Sequence, residues 1–470
     1  MPTYKTPDVY VEEISVFPPS VAEVETAIPA FIGYTEIARK KTDDDLILKP
    51  TKIYSFKEYE QYYGAPEDDT IELVVVDDGQ GGLKVSAFTE PTVQYLLAYS
   101  VKMFFDNGGG QCYIVSVGTY QDSPTIGLTG DSSTEPTSMY GLRDGLDAVK
   151  LEDEPTLIVI PEAVRLTSAD YATLVQAVLL QCNTLGDRFG IFDLYGGAIE
   201  LDAATLATNR DYFGTSYLKY GAAYYPFVKT AMNFRVNEGE TNVQLTYGSG
   251  SAAGLDTFKT ANTALYNFVK AALKEHFLTL PSSGAVAGIY AATDANRGVW
   301  KAPANISLAG VIEPAIKLDN ARQDGLNVDA TSGKSINAIR AFMGKGTLVW
   351  GARTLAGNDN EWRYVPVRRF FNMVEESIKK STYWAVFEPN DANTWVKVRG
   401  MIENYLIQKW REGALAGATP KDAFFVRCGL GVTMTAQDIL EGRMHVEIGM
   451  AAVRPAEFII LKFSHKMQTS

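Results

Sequence analysis

The stretch Thr156-Leu157-Ile158-Val159-Ile160, followed by 168–181 and then by Phe189-Gly190-Ile191-Phe192-Asp193, decides the fold class. The first and last pieces are short apolar runs, which predict strands covered on both faces. The piece between them carries apolar residues at helical spacing. Strand, helix and strand in that order predict a largely parallel sheet packed between helices.

Working towards the N-terminus, Ile28–Tyr34 reads as a buried strand. Residues 90–105 read as a helix stopped by Asn107-Gly108-Gly109-Gly110. Cys112–Val117 reads as a strand and Gly141–Val149 as a helix. Thr257–Phe277 is expected as one helix that carries His276 near its end. Two stretches, 67–83 and 121–138, are rich in acids, Gly, Ser and Thr and are expected as variable surface insertions.

Working towards the C-terminus, Val367, Phe370, Phe371, Val374 and Ile378 share one helix side, with Arg368, Arg369, Glu375, Lys379 and Lys380 elsewhere. A second helix presents Trp395, Val398, Ile402, Tyr405 and Leu406 as an apolar stripe, capped by Asp391 or Asn393. Ala423–Cys428 and His445–Met450 read as strands. Thr435–Arg443 reads as a short helix whose capping-box acid is Asp438.

Both ends of the chain carry strand signals without an obvious partner. Pro2, Pro7, Pro18 and Pro19 punctuate the first 25 residues, and Val9, Tyr10, Val11 and Glu12 form a short β-rich run between them. At the other end Phe458, Ile459, Ile460 and Leu461 lie in an apolar run that does not alternate, so both of its faces need cover. A strand of that kind is an aggregation hazard unless another element always covers it, and strand addition between copies would supply the cover.

The bulk composition excludes several classes. The 470 residues are long enough for more than one domain, and no run approaches the ~18 apolar residues of a membrane helix. The N-terminus lacks the apolar core of a secretory signal, so no signal-peptide export is expected. Cys112, Cys182 and Cys428 are isolated, which argues against a disulfide framework or a zinc site. The net charge of −13 disfavours direct nucleic-acid binding. Charge is uneven: residues 361–470 hold 15 basic and 12 acidic residues, leaving 28 and 44 in the first 360.

Chemistry-bearing constellations are missing too. His276, His445 and His465 are scattered and have no metal-ligand spacing. Gly333-Lys334-Ser335 lacks the upstream glycine and strand of a phosphate loop, and Gly344-Lys345-Gly346 fails as a dinucleotide fingerprint. The pairs Glu12–Glu13 and Glu375–Glu376 are expected as solvated faces. No catalytic, cofactor or metal residue is therefore assigned. A hydrolase remains the alternative from another class, but nothing in the sequence supplies its site.

Several blocks together resemble one family. They are Thr6-Pro7-Asp8-Val9-Tyr10-Val11-Glu12-Glu13 with 26–35, Ser283–Tyr290 running into Thr293–Asn305, Val349–Thr354 with Tyr364–Arg369, and Val453-Arg454-Pro455-Ala456-Glu457-Phe458-Ile459-Ile460. In this order and number they resemble the contractile tail sheath family, although Asp8 stands where that family often has glycine. The resemblance implies a structural, non-enzymatic subunit with an α/β (α+β) multi-domain fold and no cofactor. The implied divisions are an extended arm (1–25), a middle mixed α/β domain (26–350), a C-terminal α/β domain (351–455) and a strand arm (456–470).

The resemblance also implies partners. The chain would polymerise with itself as stacked helical rings around an inner tube protein, and would meet baseplate and terminator proteins, with no direct contact to nucleic acid or membrane. Assembly in a bacterial cytoplasm, then release as a virion tail or an extracellular particle, would follow. Phage, bacteriocin and injection system stay open, as does a tube or baseplate component of the same machines. The helix at Thr435, with Asp438, Arg443, Lys409 and Arg411, is the candidate inner-tube contact. An ordinary helix packed in its own domain is the competing reading.

Overall fold

The computed structural model describes residues 20–68, 70–120, 126–130, 140–237 and 242–460. Val9, Tyr10, Val11, Glu12, Leu461 and His465 lie outside the described residues. Two compact units emerge: Glu25–Asn372 with the segment from Arg454 onward, and Met373–Val453 with the segment up to Val24. Their boundary falls inside the helix Val365–Ser381.

The larger unit is built on a nine-stranded sheet. From edge to edge its strands are Ile306–Ser307, Gly346–Trp350, Ile336–Phe342, Gly221–Tyr225, Phe189–Asp193, Leu157–Val159, Pro29–Thr35, Cys112–Thr119 and Thr51–Ile53. The six strands from Ile336–Phe342 to Cys112–Thr119 pair in parallel, and the outer pairings are antiparallel. The strand periodicity of two sends alternate residues to opposite faces. Phe31, Leu157, Val159 and Ile191 join one core with the helices Leu97–Asp106 and Ser283–Arg297. Ala30, Ile32, Ile158 and Phe192 join the other with the helices Leu142–Val149 and Ser168–Leu185. The apolar runs quoted first are thus strands buried on both faces.

Two of the expected elements change. The helix over 90–105 begins only at Leu97, because Leu96 and Leu97 donate their N–H groups to the carboxylate of Glu162, which sits where the turn starts. The helix over 257–277 breaks into Leu255–Ala261 and Thr263–Leu273. Asn262 leaves helical geometry there, and its side chain caps the second piece by accepting from Leu265 N. Phe277 opens a strand, and His276 stacks on Phe88 with ring centroids 3.6 Å apart.

The stretch 67–83 is more than a surface excursion. Ile71–Asp77 is the centre of a second sheet, parallel to Val243–Tyr247 and antiparallel to Leu83–Thr89. Ile71, Leu73 and Val75 are buried in the core, so the acids of this stretch mask a true alternation. The turn that follows is ordered by Asp78, which accepts from Gln80 N and Gly82 N.

The smaller unit contains the helix Ala392–Arg411, capped by Asp391, and an antiparallel pair of strands, Phe424–Arg427 with Glu447–Met450. Between those strands lies the short helix Ala436–Leu440, whose Thr435–Asp438 capping box forms as expected. Val398, Ile402, Tyr405 and Leu406 are buried and Trp395 is half-buried.

Candidate inter-subunit surfaces

No group of three or more His, Cys, Asp or Glu suited to a metal occurs among the described residues. No helix there is long and apolar enough to cross a membrane. The Gly-Lys-Ser tripeptide is a packed turn. Gly333 takes φ +73°, Lys334 is buried with Nζ donating to the carbonyl of Arg210, and Ser335 Oγ donates to the carbonyl of Asn327. Burial pulls the Lys334 ammonium below the usual lysine value. All three cysteines are buried and free.

Arg368 and Arg369, expected on the polar side of their helix, are both buried. Arg368 lies over the Trp362 ring at 4.3 Å and donates to Asn372 Oδ1. Arg369 grips Asp294 through two bonds of 3.0 and 2.5 Å and also donates to the carbonyl of Thr26. Thr26 Oγ1 donates to the same carboxylate at 2.6 Å. Glu376 is buried as well, with Lys379 and Lys380 against it, so only Glu375 of that acid pair is a solvated face.

The N-terminal segment is held just before Thr26. In the smaller unit Ala22 N and Val24 N donate to the hydroxyls of Ser381 and Ser377, and Glu23 pairs with Lys409. Lys409 also binds Glu412 at 2.7 Å, and its own side chain is buried. Its ammonium is therefore an internal tie and is not displayed for a second protein.

The C-terminal segment is held in the same manner. Ala416 N donates to the carbonyl of Ala451, and Val453 N to that of Ala414, within the smaller unit. In the larger unit Arg353, itself buried, meets the Glu457 carboxylate through Nε at 2.9 and 3.1 Å and Nη2 at 2.5 Å. Asn327 Nδ2 donates to the same carboxylate at 3.1 Å and Tyr364 OH at 3.3 Å. Burial alone would raise the Glu457 carboxyl, but the bonds from Arg353 and Asn327 outweigh it and hold it below the usual value.

Immediately beyond Glu457 the chain changes character. Phe458, Ile459 and Ile460 are 70, 79 and 79% exposed and belong to no strand, where a strand was expected. No strand among the described residues lies alongside them, and a ladder needs two members.

The smaller unit displays apolar surface. A groove of about 800 Å³ is lined by Ile378, Val386, Phe387, Val398, Met444 and Ile448. Phe387 is fully exposed and takes φ +70°, a costly backbone for a phenylalanine. The strands Phe424–Arg427 and Glu447–Met450 form a sheet of only two members among the described residues.

The short helix Ala436–Leu440 is also exposed. Leu440 is 82% exposed, Arg443 pairs with Glu441 at 2.9 Å, and Arg411 is exposed at the end of its helix. Asp438 is held below the usual carboxyl value, first by the N–H of Thr435. His445 Nε2 lies 3.6 Å from Asp438, and no third ligand among the described residues completes a metal set there.

Residues 142–355 match the phage tail sheath protein central domain and residues 357–466 the phage tail sheath C-terminal domain. The tail sheath protein of Vibrio phage KVP40 is 29% identical over 130 residues, which make up 27% of this chain and 19% of that protein. The chain thus spans about a fifth of the length of the curated phage relatives it first matches. The sheath of PVC, an extracellular contractile injection system, in its contracted state is 31% identical, with 99% of each chain covered and a TM-score of 0.65. The contracted helical sheath of the anti-feeding prophage (AFP) is 30% identical, with 99% of this chain and 100% of that one covered and a TM-score of 0.65.

Proposed function

Because the chain belongs to the phage tail sheath family, we propose that it is the sheath subunit of a contractile particle, joined to its neighbours by exchange of its two terminal segments. The observation that carries this reading is the end-to-end correspondence with contracted sheaths, in fold and in sequence together. Function here resides in contacts between copies and not in a catalytic site.

The local physics supports the exchange. Three consecutive large apolar residues stand in solvent at one end of the described chain, and a two-membered sheet beside an apolar groove stands ready to accept a strand. Val9, Tyr10, Val11 and Glu12 at one end, and Phe458, Ile459, Ile460 and Leu461 at the other, are the donor residues in this reading. The arms expected over 1–25 and 456–470 would leave the folded units beyond their held roots, before Ala22 and after Glu457, and the segments beyond those roots would flex as subunits rotate. Backbone pairing suits such motion, because it depends little on side-chain geometry.

The extended sheath is read as a metastable lattice around an inner tube, completed by baseplate and terminator proteins, and contraction drives the tube through a target envelope. Thr435, Asp438 and Arg443, on and beside the helix that exposes Leu440, and Arg411, exposed at the end of its own helix, form the tube-facing set in this reading, without Lys409. Assembly takes place in a bacterial cytoplasm before the particle is released.

The test is negative-stain electron microscopy of the concentrated chain, intact and lacking residues 1–20 or 458–470. The intact chain is expected to form long hollow cylinders and both truncated chains to remain dispersed. Cylinders of unchanged length and lattice from the truncated chains would refute the exchange of segments.

A further inference from the structure

The grip on Glu457 is out of proportion to its place in the chain. A residue at the root of a chain segment that runs out into solvent needs no buried arginine, yet Arg353 is buried and gives Glu457 three close approaches, with Asn327 and Tyr364 closing the ring. Arg353 is itself fixed: its backbone N–H donates to Asn337 Oδ1, its carbonyl accepts from Asn337 Nδ2, and Nη1 donates to the carbonyl of Asn327. A planar guanidinium held in this way presents a preformed fork for one carboxylate. The next three side chains are apolar and exposed.

We propose that the Arg353–Glu457 pair is a fixed anchor within one copy of the chain, setting the point from which Phe458 and the residues after it depart to a second copy. This rests on the reading that the C-terminal segment is exchanged, and it adds where the exchange begins. Arg454, Pro455 and Ala456 form the short tether that leads into the clamp at Glu457. Pro455 stiffens that tether by locking its own φ and restricting Arg454. The anchor acts by preorganisation. With Glu457 fixed, the donor strand leaves from a constant place and direction, so less freedom is lost when it docks.

The experiment compares the full chain with Glu457→Ala and with a chain ending at Glu457. Assembly is read by pelleting and electron microscopy, and folding by thermal melting. A nitroxide on Ala456→Cys reports motion at the anchor, and the buried native cysteines leave the new thiol as the reactive one. Glu457→Ala is expected to stay folded at the assay temperature but to melt lower than the parent, because Arg353 loses its carboxylate, to free the nitroxide, and to raise the concentration needed for cylinders at least about tenfold. A nitroxide equally mobile with and without Glu457, or a freed nitroxide with unchanged assembly, overturns the anchor. Assembly of the chain ending at Glu457 overturns the exchange reading beneath it. Should Glu457→Ala fail to fold, Tyr364→Phe with Asn327→Ala loosens the ring while leaving the ion pair. The expected result is then a smaller change in the same direction, and no change overturns the anchor.

Discussion

Replacing Glu162 by Gln should make the larger unit more stable at neutral pH and flatten its response to acid. Glu162 is wholly buried at the end of the strand Leu157–Val159. Its Oε1 accepts from Leu96 N at 2.9 Å and Leu97 N at 2.7 Å, and its Oε2 has no partner. Asp193, at the end of the adjacent strand, does the same for another helix by accepting from Ser282 N and Ser283 N. Two buried carboxylates thus cap the helices Leu97–Asp106 and Ser283–Arg297. Burial pushes Glu162 from 4.5 up to about 7 and Asp193 from 3.8 up to about 6, against the pull of those N–H donors.

The sign follows from proton counting. With a folded value above the unfolded one, the native state holds the proton more tightly, so stability falls as pH rises through that interval. Each acid therefore costs on the order of 3 kcal/mol at neutral pH relative to its protonated form. Carboxyls held low, such as Asp202, Asp391 and Glu457, act in the opposite sense. Their stabilisation is lost only as pH falls below their ordinary values of 3.8 and 4.5. Urea unfolding of dilute chain at about pH 5 and about pH 8 brackets the window of interest. The parent should unfold at lower urea at the higher pH, and Glu162→Gln should remove roughly half of that difference. Every other titratable group is common to both proteins. Equal pH responses from the two chains would refute the reasoning.

Two further tests probe packing and the arm root. Gly284→Ala places a methyl within 2.3 Å of the Ser100 carbonyl oxygen, so the two helices must part, at about 1–3 kcal/mol or more. Gly325→Ala, in a helix with nothing within 4 Å of the new carbon, should be neutral or stabilising by up to ~1 kcal/mol, and thermal melting of both variants reads the contrast. Lys409→Met removes the ion that ties Glu23 to Glu412 but leaves those carboxylates partly in solvent, at 40 and 46% side-chain exposure. The loss should be about 1–2 kcal/mol, with faster proteolysis near residue 20 as the second readout.

What the sequence revealed and what it hid divide along sequence separation. The strands and helices from Thr156 to Asp193 are local patterns, and they fold as their spacing dictates. Glu162 caps a helix that begins 65 residues earlier, so periodicity alone extended that helix back to Glu90. Arg368 and Arg369 read as a polar face because their partners, Trp362 and Asp294, are matched only in space. Asn262 did carry a signal, an N-cap residue ahead of a helical run, but the long periodic stretch around it hid the break. Glu457 stands inside a block that resembles the family's ending. Its clamp could not be read there, because Arg353 lies 104 positions away.

Under the proposed exchange, the held roots at Glu23 and Glu457 also bear on why a lattice is expected and not a dimer. Burying Phe458, Ile459 and Ile460 is worth roughly 1.5–3 kcal/mol each. Ordering their backbone costs roughly 1–2 kcal/mol each, and bringing two copies together costs about 4–15 kcal/mol more. One exchanged segment therefore leaves a lone pair of copies dissociated at ordinary concentrations. A copy that both donates and accepts at each end gains several such contacts for one loss of freedom, and association then becomes favourable only for a copy entering a growing array. In the proposed exchange the Arg353–Glu457 anchor lowers the ordering term for the C-terminal contact. The chain should consequently pass from dispersed monomers to cylinders over a narrow range of concentration. A stable dimer seen by sedimentation below that range would show that a contact other than these segments dominates.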